Sequence, residues 1–345
     1  MQKLAIIGTG IAGMGCAHHL HKKYDITVFE KDNYIGGHTN TFSTDEDGKQ
    51  VYMDTGFMVF NFETYPNLCK LFEEIKAPIK KTDMSFSVQH TPSGLEYCGS
   101  GLNGLFAQRK NIFNRPYIKM LKDITHFNKI SVEILDDPKY QNYSLAQYIK
   151  EFNFSEDMLW KYLVPMSSAV WSTPMDKMLD FPAVALIRFF KNHGFLGLNT
   201  QHQWYTLENG SQAYREILIK SFKDKIQINK AVIKVNRNDD GTAIVHLNDG
   251  SSQQFDKVIF ASHADQTLKM LAKPTAEEQR LLSPFKYQEN SATVHTDESI
   301  MPKTKRTWSS WNYRIEERNG EQIPSTIYWM NSLQGVSKKK NYFVS

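Results

Sequence analysis

The chain has 345 residues, 41% hydrophobic and 23% charged, and its 41 Lys and Arg against 37 Asp and Glu leave a formal net charge of +4. This is globular usage, long enough for two cores, too near neutrality for a general polyanion binder, and without a nucleic-acid motif beside its basic residues. No apolar run reaches the roughly 18 residues of a membrane span, and Cys16, Cys69 and Cys98 are too scattered for a disulfide framework or a metal site, which fits a reducing cytoplasm.

The first residues carry the densest signal. Leu4 to Ile7 reads as a strand, Gly8-Thr9-Gly10-Ile11-Ala12-Gly13 as a tight turn opening a helix, and Ile26 to Phe29 as a second strand closed by Glu30. Such a unit holds a dinucleotide: Gly8 permits the turn, Gly10 admits the pyrophosphate, and Gly13 lets the helix pack on the strand. A carboxylate at Glu30 accepts ribose hydroxyls and repels a 2′-phosphate, which argues against NADP. His18, His19 and His21 fall on the same helix, where solvated or capping roles are expected rather than metal ligation.

A second glycine turn, Gly36-Gly37-His38-Thr39, follows, and then Asp54-Thr55-Gly56-Phe57 across a short acidic loop. A second glycine turn lets backbone approach an extended cofactor beyond the first phosphate turn. His38 is either a phosphate contact or a turn residue with a solvated ring. Asp54 is expected to orient the Gly56 turn by accepting backbone amides, with a general base as the alternative.

Further along, a helix is predicted over about 65–76 and a strand over Met84–Val88, and the pattern is largely helical between about Gly104 and Trp160, with a polar loop near Asp136-Asp137-Pro138. Within 106–127, Arg109, Lys110, Arg115, Lys119 and Lys122 alternate with Ile112, Phe113, Tyr117, Ile118 and Leu121. This is either a solvated helical face or a peripheral contact with anionic lipid. Pro165 to Ser172 reads as a slot wall or a helix packing seam.

A helix is predicted over Tyr214–Phe222, then strands at Ile226–Ile228, Ala231–Val235 and Ala243–Leu247 with turns at Asp239-Asp240-Gly241 and Asn248-Asp249-Gly250. Lys257–Ser262 reads as a buried parallel strand. Strands are also expected at Ala292–Thr296, Thr307–Tyr313 and Ile327–Met330. Trp308, Trp311 and Tyr313 either line a substrate slot or belong to the core, and His295 is either a proton-handling group or a structural histidine.

GxGxxG, a ribose-type Glu and a second GG motif together resemble the flavin amine oxidase superfamily of monoamine and polyamine oxidases, protoporphyrinogen oxidase and carotenoid desaturases. Asp54–Asn61, Thr64–Leu68, Asp83–Val88, Val170-Trp171-Ser172-Thr173-Pro174, Asn192–Leu196, Gln203-Trp204 and Ala261–Asp265 narrow the likeness to predicted NAD/FAD-binding proteins that accompany cyclopropane-fatty-acid synthases. The resemblance implies an α/β fold, a Rossmann-like FAD-binding domain interleaved with an α+β substrate domain. It assigns 1–75 and 206–271 to the first and 76–205 and 272–345 to the second.

It also implies FAD held by Gly8, Gly10, Ile11, Ala12, Gly13, Glu30, Lys31, Gly36, Gly37, His38, Thr39, Gly56 and Phe57, with a backbone contact to adenine from Val232. Relatives often carry Arg where His38 stands, and amine oxidases a lysine on the strand matching Asn290–Val294, where none occurs. The expectation is therefore an FAD-dependent oxidoreductase acting on a C–C bond of an apolar, fatty-acyl substrate. The alternatives are an amine oxidase releasing imine and peroxide, or a non-catalytic FAD-binding protein. Relatives return once more to the nucleotide domain beyond the strand matching Asn341–Ser345, so a missing C-terminal segment, weak FAD retention and low activity are expected of this form.

Overall fold

The computed structural model describes residues 1–171, 173–197 and 200–345; Ser172 of the Val170–Pro174 motif lies outside them. The chain forms two compact units. One comprises Met1–Met58, Leu71–Pro78 and Leu207–Asn290, the other Val59–Lys70, Ile79–Thr206 and Ser291–Ser345. Relative to the sequence reading, 59–70, 76–78, 206 and 272–290 change sides. Phe60–Asn61 pairs with Trp204–Tyr205 in the second unit, whereas helix Ala276–Leu282 packs on helix Ala264–Met270 in the first.

The first unit is built on a four-stranded parallel sheet in the order Ile226–Gln227, Asp25–Phe29, Lys3–Ile7, Lys257–Phe260. Leu4, Ala5, Ile6, Ile26 and Val28 are almost completely buried, as residues of a central parallel strand must be. Lys257–Phe260 departs from the expected buried strand: it is the edge of this sheet and its residues stay partly exposed. An antiparallel meander, Val232–Arg237, Ala243–Leu247 and Ser252–Phe255, turns at Gly241 and Gly250, both at a φ of +83°. Its Val245, Leu247 and Phe255 pack against Ala5, Ile7 and Phe29.

The second unit holds a six-stranded mixed sheet in the order Val294–His295, Phe343–Val344, Glu321–Trp329, Trp311–Arg318, Phe86–His90, Leu95–Cys98. Helices Arg115–Ile130, Leu145–Glu151, Val164–Trp171 and Ala183–Asn192 enclose a core around Phe127, Tyr148, Leu163, Leu186 and Phe190. The strand expected from Thr307 begins only at Trp311, because the Asn312 amide closes a turn on Ser309: Ser309 N–H donates to Oδ1 at 2.9 Å and Nδ2 donates to the Ser309 carbonyl at 2.6 Å. Tyr313 and Trp311 pack with the main core, and Trp308 with Trp329 and Phe343. The helix Val164–Trp171 buries Val164, Pro165, Ser167, Ser168 and Ala169, the packing-seam reading of that segment.

Candidate cofactor site

The glycine positions differ in what surrounds them. Gly8, at a φ of +103°, lies so close to the neighbouring strand end that a Cβ would stand 2.7 Å from the Ala261 carbonyl oxygen, and a Cβ on Gly13 would overlap the Gly8 carbonyl. These two glycines close the strand-helix joint. Among the described residues, a Cβ at Gly10 would meet nothing within 4 Å. Gly10 is also the N-cap of helix Ile11–Leu20, no side chain of the described residues caps that helix, and Ile11 and Ala12 are exposed. An open backbone face at an uncapped helix N-terminus suits a pyrophosphate.

Glu30 is 6% exposed and its carboxylate organises the turn. Oε2 accepts the Thr9 N–H at 3.0 Å and the Thr9 hydroxyl, while Oε1 accepts the Asp32 N–H at 3.0 Å. Thr9 Oγ1 in turn accepts Gly36 N–H at 3.1 Å, tying the second glycine turn to the first. A carboxylate has about four acceptor sites, so these bonds leave capacity for a ribose hydroxyl. Gly37, at a φ of +57°, approaches so closely that its Cβ would lie 3.2 Å from Gly10 Cα.

Thr39 is buried and its hydroxyl bonds Tyr214 Oη, whose ring meets Phe57 edge-on at 6.2 Å. Burial pushes the Tyr214 phenol up to about 12. Phe57 N–H donates to the His38 carbonyl at 2.8 Å, and Gly56 lies against that same carbonyl. The His38 ring stacks on His263 at 5.9 Å, and His263 stacks on Tyr287 at 4.0 Å. Lys31 is exposed. Val232 opens the meander just after Lys230 N–H donates to the Glu30 carbonyl at 2.8 Å, so the chain brings it to the Glu30 end of the sheet.

The Asp54 carboxylate reaches beyond its own strand to Ser211 and Thr41: Ser211 N–H lies 2.8 and 2.9 Å from its two oxygens, Ser211 Oγ donates at 2.7 Å and Thr41 Oγ1 at 2.6 Å. Sequence reasoning also missed Arg215, whose Nη1 donates to the Ile35 carbonyl at 3.1 Å beside Gly36. Its guanidinium lies behind the second glycine turn and is paired there with Glu216 at 2.7 Å. A helix opened by Gly210-Ser211 and carrying an Arg in its first turn was the available signal.

His295 belongs to the second unit. Its Nδ1 accepts the Asp297 N–H at 3.2 Å and its ring stacks on Phe343 at 5.5 Å. Burial pushes the imidazole below its ordinary value against the opposing pull of Asp297. His18, His19 and Glu74 bring ligand-type atoms within 4.8 Å of one another. There His18 pairs with Glu74 at 2.9 Å, and His21 Nδ1 donates to the His18 carbonyl at 2.8 Å. Among the described residues no helix is long and apolar enough to cross a membrane.

The chain is 24% identical over 303 residues to the 15-cis-phytoene desaturase of Arabidopsis thaliana, covering 80% of this chain and 50% of that protein. The corresponding desaturase of Glycine max is 24% identical over 294 residues, covering 78% and 48%. The chain thus spans about half the length of the curated relatives it matches. Putrescine oxidase superposes with a TM-score of 0.66 at 14% identity, covering 99% of this chain and 74% of that one, and a CLA-producing fatty acid isomerase from P. acnes with 0.63 at 14%, covering 99% and 76%. The expected interleaved fold is the fold of these structures, and flavin is the cofactor for which the matching family profile is described. That profile covers residues 11–330, and the chain belongs to the flavin containing amine oxidoreductase family.

Proposed function

We propose that this protein is an FAD-dependent oxidoreductase acting on a C–C bond of an apolar, fatty-acyl substrate by desaturation or reduction. The observation that carries the cofactor assignment is the open face at Gly10, bounded by an uncapped helix N-terminus and the second glycine turn. In this reading Gly8, Gly10, Ile11, Ala12 and Gly13 hold the pyrophosphate through backbone amides, Glu30 the ribose, and Val232 the adenine through its backbone. Gly36, Gly37, His38, Thr39, Gly56 and Phe57 line the extended remainder. The flavin, when bound, supplies two-electron chemistry; the chain binds and orients it.

Desaturase relatives and the fatty acid isomerase neighbour support the apolar substrate. So does the absence of lysine from Asn290–Val294, the segment where amine oxidases are expected to carry one. Amine oxidation is the competing reading, favoured by the family description and by putrescine oxidase. Purified protein, its flavin identified after extraction, is mixed anaerobically with fatty-acyl and phospholipid substrates, with and without a reductant, and separately with mono- and polyamines. Flavin spectral change with lipid and none with amines is expected. A peroxide burst with amines alone reverses the assignment, and an unchanged flavin with every substrate supports a binding protein.

A further inference from the structure

We propose that the face formed by residues 109–122 docks on an anionic phospholipid bilayer. The proposal is independent of the redox chemistry above and is tested without turnover.

The starting point is a conflict between exposure and order. Phe113 is 88% exposed and Ile112 50%, yet both belong to the short helical turn Arg109–Phe113, which is held from beneath. Asn111 is buried, its Nδ2 donating to Gln108 Oε1 at 3.1 Å and its N–H to the Gln108 carbonyl at 2.9 Å. Directly after it, Asn114 caps helix Arg115–Ile130 by accepting the Tyr117 N–H at 3.2 Å, and Tyr117 Oη donates to the Leu105 carbonyl at 2.6 Å. Two large apolar side chains are therefore presented to solvent by a braced frame, at a cost that water does not repay.

Charge identifies the occupant. Arg109, Lys110, Arg115, Lys119 and Lys122 are exposed, and no acidic residue occurs from 109 to 122. The next acid, Asp123, is engaged by Lys119 at 3.0 Å and by Ser155 N–H at 3.0 Å. A shallow groove of about 470 Å³ is lined by Ile112, Phe113, Arg115, Ile118, Lys119 and Lys122. Cations surrounding protruding Phe and Ile match a bilayer, in which headgroup phosphates meet the ammonium and guanidinium groups while the apolar side chains enter the acyl boundary. Polyanionic nucleic acid would pair with the cations but not with an aliphatic Ile112, and an acidic protein would need no projecting Phe113.

The test is co-sedimentation of the full chain with vesicles of phosphatidylcholine alone and of phosphatidylcholine mixed with phosphatidylglycerol, at low and high salt. Binding to the anionic vesicles and loss at high salt are expected. Ile112→Ser with Phe113→Ser, and separately Lys119→Glu with Lys122→Glu, should each weaken it roughly tenfold or more. Both pairs are exposed, and circular dichroism checks that the fold is kept. No binding to anionic vesicles, or binding unaffected by Ile112→Ser with Phe113→Ser, overturns the proposal, as does tighter retention on RNA than on vesicles.

Discussion

The Asp54 carboxylate accepts both the backbone N–H and the hydroxyl of Ser211, a residue 157 positions away, at 2.7 to 2.9 Å. Asp54 ends the strand that leads into the Gly56 turn, and Ser211 begins the helix that carries Tyr214 and Arg215, the two side chains behind the second glycine turn. One fully buried carboxylate therefore fixes where both arrive. The Ser211 amide and hydroxyl and the Thr41 hydroxyl are among the donors that offset its charge, the condition under which a buried acid is tolerated.

Asp54→Ala should cost about 2–4 kcal/mol, because it leaves the Ser211 amide and the Thr41 hydroxyl enclosed with their charged acceptor gone. Flavin retention should fall with it. Chemical denaturation of the apoprotein measures the first effect and the flavin-to-protein absorbance ratio the second. An unchanged midpoint would show that water or a neighbouring side chain takes over these donors.

A second relationship lies in the other unit. Pro165 has no N–H to give to the Lys161 carbonyl four residues earlier, and the helix widens into a π-turn over Leu159–Leu163. The Tyr97 hydroxyl donates to that carbonyl at 2.6 Å. Burial holds the Tyr97 phenol well above its ordinary range, so it keeps its proton. Tyr97→Phe should therefore destabilise by about 1–3 kcal/mol, the range for stranding a buried acceptor, with no direct effect on flavin binding. Pairing it with Pro165→Ala tests the cause, since a restored amide should recover part of the loss.

How far the sequence was legible depends on the range of the interaction that fixes each residue. The strand-turn-helix at Lys3–Leu20 and the turns at Gly241 and Gly250 are set by local rules, namely glycine at positive φ and apolar periodicity, and were readable. The hairpin Thr41–Glu46 with Lys49–Asp54 was read only as an acidic loop, because its first strand has Phe42 as its one apolar residue and is mostly exposed. Strand Ser252–Phe255, exposed except for Phe255, went unread for the same reason. Asp54 with Ser211 and Arg215 with Ile35 join segments more than 150 residues apart, and no spacing in the chain announces them. Parallel pairing of Trp311–Ile315 with Phe86–His90 is equally non-local.

Acidification should loosen the second unit. Burial depresses the imidazoles of His90, His193 and His295 below the ordinary value of 6.5. The unfolded chain then binds protons first, so their contribution is level above about pH 6.5 and declines as pH falls below it toward the folded values. Denaturation midpoints compared across this window should decrease, and His295→Gln should flatten the decline by removing one of the three groups. A midpoint that rises on acidification, or a His295→Gln profile parallel to the wild type, would contradict the assignment.

The sharpest test of the cofactor site contrasts two glycines three residues apart. At Gly13 a methyl group would collide with the backbone of Gly8, so Gly13→Ala must move the helix from the strand and should lower both stability and flavin content. At Gly10 the backbone sits at φ −59°, a conformation open to any residue, and a Cβ would point into space that no atom of the described residues fills. Gly10→Ala should therefore leave the apoprotein as stable as before, or raise its stability by about 0.4–1 kcal/mol through reduced unfolded-state entropy. Flavin should nonetheless be lost or weakly held, and more completely in Gly10→Val, because the added carbon occupies the approach to the pyrophosphate. Melting curves of the apo form alongside flavin content after gel filtration separate the two cases. Stoichiometric flavin in Gly10→Val would remove the first glycine turn from the cofactor site, whereas equal loss of apo stability in both variants would show that the open face at Gly10 is a packing surface of the folded chain.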